Sequence, residues 1–247
     1  MRNLILNQTY SFSLFNLINE NSQKILSFHF DEFSKNLTIL DKEYKIYIFN
    51  YDDVFTKFKL IHTIELDAIF YDRFDILEEI SSSETSIKFL LYKNEEETVS
   101  IILSTGKLLK IPIDGRYEIV EIFSSEKILC VEMSSNLEFV AIATNKNKLY
   151  LLNYDFDLVN NCDLDDGDLT DASKDINDEE KEASISWRGD SQFFACLYSI
   201  NGGKKCLVRD TKLEIFKGPA RSDGKVVFSI AEEPIKSNKY FYFIYKI

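Results

Sequence analysis

Ala183 to Asp210, ASISWRGDSQFFACLYSINGGKKCLVRD, is the stretch whose reading decides the fold. Ser184 to Trp187 reads as a short strand, Arg188-Gly189-Asp190-Ser191 as a polar turn, and Gln192 to Ser199 as a second strand rich in aromatic and apolar residues. Asn201-Gly202-Gly203 then turns the chain into a third strand, Lys204 to Arg209. Three short antiparallel strands cannot bury enough apolar surface to stand alone in water, so this meander must be one of several packed together.

The same layout recurs along the chain. Ile25 to Asp52, ILSFHFDEFSKNLTILDKEYKIYIFNYD, lies over Ile128 to Asp155, ILCVEMSSNLEFVAIATNKNKLYLLNYD, with a single-residue gap, and both end in Asn-Tyr-Asp. This register places Phe30, Met133 and Trp187 at one equivalent position, the large apolar residue just before the first turn. Ser86 to Ile113 supplies another copy, with Tyr92 in that place, the turn Asn94-Glu95-Glu96-Glu97, and strands Thr98 to Leu103 and Lys107 to Ile111.

The spacings set the architecture. Tyr92 to Met133 is 41 residues, within the ~40 to 45 of a four-stranded propeller blade. Met133 to Trp187 is 54, one blade plus an insertion of about a dozen residues. Phe30 to Tyr92 is 62, which leaves open either a long insertion or further strands between Val54 and Leu77. One blade step beyond Trp187 reaches Phe228 in the strand Lys225 to Ile230, with Tyr240 to Tyr245 as the strand after it. The expectation is an all-β, WD40-like β-propeller of antiparallel four-stranded blades, about four to five in number. A seven-bladed ring would need about 280 to 315 residues. The chain therefore reads as a single propeller domain over 1–247, truncated or completed by a partner, with a smaller closed ring of five blades as the alternative.

Composition agrees. With 20 Phe and 13 Tyr against 3 Pro and 8 Gly, the chain favours β-structure joined by polar turns. Asp163 to Glu182 holds ten Asp and Glu against two Lys, a net of −8 within the −12 of the whole chain. Such a run reads as a solvated, disordered inter-blade loop, placed at 160–182. Asp163-Leu164-Asp165-Asp166-Gly167 superficially looks like a calcium loop, but its glycine falls fifth rather than sixth and its flanks read as strands. The acidity also repels a phosphate backbone at this place.

Candidate catalytic groups are sparse. His29 and His62 have no second histidine at ligand spacing. Cys130, Cys162, Cys196 and Cys206 lie 32, 34 and 10 residues apart, which provides no CxxC pair for zinc and reads as small, reduced core residues. Gly106-Lys107 lacks the glycine a phosphate loop needs, and neither GxSxG nor GxGxxG occurs. The chain is thus read as no enzyme, with no catalytic, cofactor-binding or metal residues and no cofactor; the binding residues stay unassigned. Asn7-Gln8 interrupt Met1 to Leu6 too soon for a secretory segment, and Tyr240 to Tyr245 is far short of a membrane span, so a soluble, intracellular protein is expected.

Ser184-Ile185-Ser186-Trp187-Arg188-Gly189-Asp190-Ser191-Gln192-Phe193-Phe194-Ala195 resembles the S-W-R-G-D-x-x-x-F-A stretch of the largest subunit of the Elongator complex, the IKAP family. Asp166-Gly167-Asp168-Leu169-Thr170-Asp171 is similar to a Gly-Asp-hydrophobic-Thr element of that family. Val131 to Thr144 followed by Leu149 to Val159, with Asp155-Phe156-Asp157-Leu158, resembles its blade ending in an Asp-Phe-acidic segment, and Met1-Arg2-Asn3-Leu4 also fits. The resemblance implies the N-terminal propeller region of a non-catalytic scaffold that supports tRNA wobble-uridine modification through protein contacts. It implies as partners the other Elongator subunits, including the catalytic one that carries the radical chemistry. It further implies tRNA contact that is at most indirect, no membrane, and a cytoplasmic location with the nucleus also open. The family's W-G-x-K-E-T-Q-F segment is not found between Val159 and Asp166, and its second propeller and helical solenoid are missing, so homodimerisation is not expected of this chain. The alternative is a stand-alone propeller adaptor that binds a peptide or protein partner. A hydrolase built on a propeller would need carboxylates or histidines converging on the channel.

Overall fold

A computed structural model describes residues 25–31, 34–52, 57–82, 86–164, 181–200 and 203–214, and within them the chain is nearly all β. The first sheet holds β1 (Ile25–Asp31), β2 (Asn36–Asp41), β3 (Lys45–Asp52) and β4 (Lys57–Glu65). The second holds β5 (Ile87–Lys93), β6 (Thr98–Leu103), β7 (Lys107–Pro112) and β8 (Glu118–Glu121). The third holds β9 (Ile128–Met133), β10 (Phe139–Thr144), β11 (Lys148–Asn153) and β12 (Leu158–Asp163). The fourth holds β13 (Ala183–Trp187), β14 (Phe193–Ile200) and β15 (Gly203–Asp210). Each sheet is an antiparallel meander of consecutive strands, which is the blade of a β-propeller, as expected from the repeat. Two compact units, Met1–Lys127 and Ile128–Ile247, carry two of these blades each.

The register read from the repeat is the register of the sheets. Phe30 lies opposite Leu37, Tyr92 opposite Val99, Met133 opposite Val140 and Trp187 opposite Phe194. A second device recurs at the next turn. Tyr44 (φ 60), Gly106 (φ 90) and Asn147 (φ 56) adopt left-handed backbone there. Their carbonyls accept the N–H of Leu66, Ile122 and Leu164, at 2.8, 2.9 and 2.6 Å, each the residue just past its blade's outer strand. The turn between the second and third strands thereby holds the end of the fourth.

The middle strands β2, β6 and β10 are almost wholly buried because both their faces are covered. In the first unit, Leu40, Ile46 and Ile48 of one sheet pack with Leu90, Ile101 and Leu109 of the other. In the second, Ala141, Leu149 and Leu151 pack with Ile185, Phe194 and Leu207. The outer strands β8 and β12 are mostly exposed or half-exposed and carry little alternation, so the sequence pattern does not mark them. β12 also corrects the boundary of the acidic loop. Asn160 to Asp163, assigned to it by composition, pair with β11, from Asn160 opposite Leu151 to Asp163 opposite Lys148. Backbone pairing overrides their polarity there. Residues 165–180 and the strands expected at Lys225 to Ile230 and Tyr240 to Tyr245 lie outside the described residues.

The long interval from Phe30 to Tyr92 holds both features that the spacing left open. One is the outer strand β4, and the other is a helical insertion, α1 (Leu66–Ile69) and α2 (Phe74–Ser81). Ile76, Leu77 and Ile80 share one face of α2 and are buried in the first unit's core with Leu66 and Phe70. Asp75 in the first turn favours the helix start.

Candidate functional site

The corner Trp187-Arg188-Gly189-Asp190-Ser191 is the chemically densest motif of the sequence, with an indole, a guanidinium and a carboxylate at one turn. The indole Nε1 of Trp187 donates to the carbonyl of Glu132 on β9 at 3.1 Å. Its ring packs on Phe194 at 4.6 Å between centroids and stacks with Phe139 at 6.5 Å. Trp187 thus joins the third blade to the fourth. It does so half-buried, and cover at the equivalent positions differs: Tyr92 is 3% exposed, Phe30 37% exposed, and Met133 half-buried. The position sits at a strand end beside a turn, where the cover depends on the neighbouring blade.

The remaining groups of the corner engage one another. Arg188 grips Asp190 with two bonds, Nε to Oδ1 at 2.8 Å and an Nη to Oδ2 at 2.5 Å. The guanidinium also lies 4.4 Å over the ring of Phe193. Its hydrogen bond holds the Asp190 carboxyl below the usual carboxylate range. The Ser191 hydroxyl is buried and accepts the N–H of Asn136 in the corresponding corner of the third blade at 2.9 Å. That corner has the same backbone frame. Arg188 N–H bonds the Phe193 carbonyl, and Ser134 N–H bonds the Phe139 carbonyl, both at 2.8 Å. The left-handed residues Ser191 (φ 59) and Leu137 (φ 62) occupy the same place in each. The arginine is consumed by its own aspartate within the turn, while the serine, which receives a backbone N–H, and the indole clasp the third blade to the fourth.

Other titratable groups are dispersed. Burial lowers the pKa of His29, opposed by the nearby Asp31, and its ring lies 6.1 Å from Phe89. His62 lies 6.2 Å from Tyr92. Burial pushes the Glu132 carboxyl up to about 7, with no charged partner contributing, although much of the residue remains exposed. A lone raised carboxyl is not an acid–base pair.

Three sequence-distant cysteines, Cys130, Cys162 and Cys196, meet in the core between the third and fourth blades, while Cys206 lies on the opposite face of its sheet. All four are free thiols, and burial, with the neighbouring thiols, pushes Cys196 well up. Among the described residues no group of three or more His, Cys, Asp or Glu is placed to hold a metal ion. Asp163 of the calcium-like run is in β12, and Asp165, Asp166 and Gly167 lie outside the described residues. No helix among the described residues is long and apolar enough to cross a membrane.

Spacing left room for the insertion between β4 and β5 without revealing that it is helical. Glu79 holds it to the second blade through Lys107 Nζ at 2.6 Å and through the Thr105 hydroxyl. Phe70 packs on Tyr117 at 4.6 Å, and the Tyr117 hydroxyl reaches Asp72 at 3.4 Å. Tyr71 and Phe74 project from it, 70% and 68% exposed. The signal for it was Tyr71-Asp72-Arg73-Phe74-Asp75, aromatic and charged residues interleaved where a blade linker should be short and polar.

A family model described as the ELP1 first N-terminal beta-propeller matches residues 1–179. No curated protein matches the chain. The Trp187 corner, where the resemblance was read residue by residue, lies beyond the matched span.

Proposed function

Since the chain belongs to the family of the ELP1 first N-terminal beta-propeller, we propose that it is a non-catalytic scaffold subunit of the Elongator complex, supporting tRNA wobble-uridine modification through protein–protein contacts. The family match over 1–179 carries this reading. The Trp187 corner is consistent with it, because Trp187 and Ser191 bond to the neighbouring blade while Arg188 and Asp190 pair with each other inside their own turn. Its partners are then the other Elongator subunits, the catalytic one included. tRNA is met indirectly, and the work is done in the cytoplasm, with the nucleus as a second location.

Affinity capture of the tagged full chain from its own cells tests the proposal. The expected result is co-purification of the catalytic subunit, and a fall in wobble-uridine modification when the gene is lost. Capture without that subunit, repeated, overturns it. The second reading, a propeller adaptor outside Elongator, is favoured by the exposed pair Tyr71 and Phe74. It predicts intact wobble-uridine modification after gene loss.

A further inference from the structure

We propose that the helical insertion between β4 and β5 is a docking surface for a lysine- and arginine-rich segment of a partner protein. The proposal rests on this insertion alone and holds or fails independently of the Elongator reading.

The insertion is seated rigidly on one side and chemically distinctive on the other. Phe70, Ile76, Leu77 and Ile80 are buried, and Glu79 is tied to Lys107. The intervening turn therefore presents Tyr71 and Phe74 outward from a fixed base. Two large aromatic rings held about 70% exposed on a scaffold otherwise built of repeating blades are a poor use of apolar surface unless something covers them. Insertions into a repeat also commonly supply the binding face, since they are free of the stacking that constrains the repeat.

Charge selects the partner. Asp67, Asp72, Asp75 and Glu78 are exposed on the insertion, and Glu78 is one helical turn from Phe74 on the same face. Arg73 is spent on Asp75, through bonds of 2.9 and 2.8 Å. Among the described residues no salt bridge engages Asp67, Asp72 or Glu78. Even with Arg116, beside Tyr117 in sequence, counted with Arg73, four carboxylates face two guanidiniums, a net of −2. Lysine and arginine stems lie well on tyrosine and phenylalanine rings, their cations over the faces and their heads within reach of carboxylates. Nucleic-acid phosphates are repelled by the same charges.

The test uses the full chain and a fluorescein-labelled synthetic peptide of alternating lysine and leucine, with its glutamate counterpart and poly(U) RNA as competing probes, read by anisotropy at low and high salt. The basic peptide is expected to bind, and high salt to weaken it. Tyr71→Ser with Phe74→Ser, and separately Glu78→Lys, should each weaken it about tenfold or more, equivalent to about 1.4 kcal/mol. Glu95→Lys, an equal charge change in the exposed turn of the second blade, should shift it by less than about twofold. All four sites are exposed, so far-UV circular dichroism should show each variant folded. Equal losses from Glu95→Lys and Glu78→Lys would reduce the binding to general acidity and overturn the proposal. So would preference for the acidic peptide or RNA, or self-association that Phe74→Ser abolishes, which would make a second copy the occupant.

Discussion

Replacing Trp187 by alanine removes an aromatic face, an aromatic pair and a hydrogen bond across two blades, and each has a separate size. A fully buried tryptophan truncated to alanine costs about 3 to 5 kcal/mol. Trp187 is half-buried, so roughly half of that, about 2 kcal/mol, is its packing share. The close contact with Phe194 adds about 0.5 to 1 kcal/mol, and the bond to the Glu132 carbonyl about 1 kcal/mol. The expected total for Trp187→Ala is about 3 to 4 kcal/mol. Trp187→Phe keeps a ring against Phe194 but loses the indole N–H, and should cost about 1 to 1.5 kcal/mol. Urea denaturation followed by far-UV circular dichroism measures both, because the chain has one tryptophan and its replacement removes the fluorescence signal. A change within about 0.5 kcal/mol for Trp187→Ala would place the residue among ordinary surface positions and refute the clasp. Equal losses for the two variants would refute the share assigned to ring packing.

Gly106→Ala should cost about 2 to 4 kcal/mol, because the backbone is left-handed there and a Cβ would meet the Phe123 carbonyl oxygen at 2.3 Å. Gly115→Ala, equally left-handed but with nothing within 4 Å, should cost about 1 kcal/mol, so the difference in urea midpoints isolates the clash. Ser191→Ala strands the Asn136 N–H and should destabilise by about 1 to 2 kcal/mol in the same assay. His29 has its pKa lowered mainly by burial, so below pH ~6.5 the unfolded chain takes up the proton more readily and stability falls with pH. Glu132, whose carboxyl is raised to about 7, takes up its proton more readily in the folded chain and works the other way over the same range, so the His29 share is read by difference. His29→Gln should make the melting temperature fall less, or rise more, on acidification below pH ~6.5 than in the parent chain. An unchanged slope would show that other groups set it.

How much was legible depended on where each residue's partners lie. The anchors Phe30, Tyr92, Met133 and Trp187 were found in register because turn chemistry and alternation are local, and each pairs with a residue seven positions on. The outer strands were not, because Glu118 to Glu121 and Leu158 to Asp163 have little apolar alternation to read and owe their conformation to pairing with β7 and β11. The eight-residue helix α2 is shorter than the window over which helical periodicity stands out. The meeting of Cys130, Cys162 and Cys196 is a product of blade packing, invisible at spacings of 32 and 34 residues.

By itself, then, the sequence determined that this protein is built of repeating antiparallel blades with a common corner at Trp187, since strand, turn and repeat are written in short-range pattern. Only the tertiary structure decided what that corner does. Whether Trp187 and Ser191 stand free or are consumed depends on Glu132 and Asn136 in the neighbouring blade. Whether Tyr71 and Phe74 are core or surface depends on which face of the insertion the blades cover. Burial and polar satisfaction are properties of packing between segments, and no local pattern encodes them.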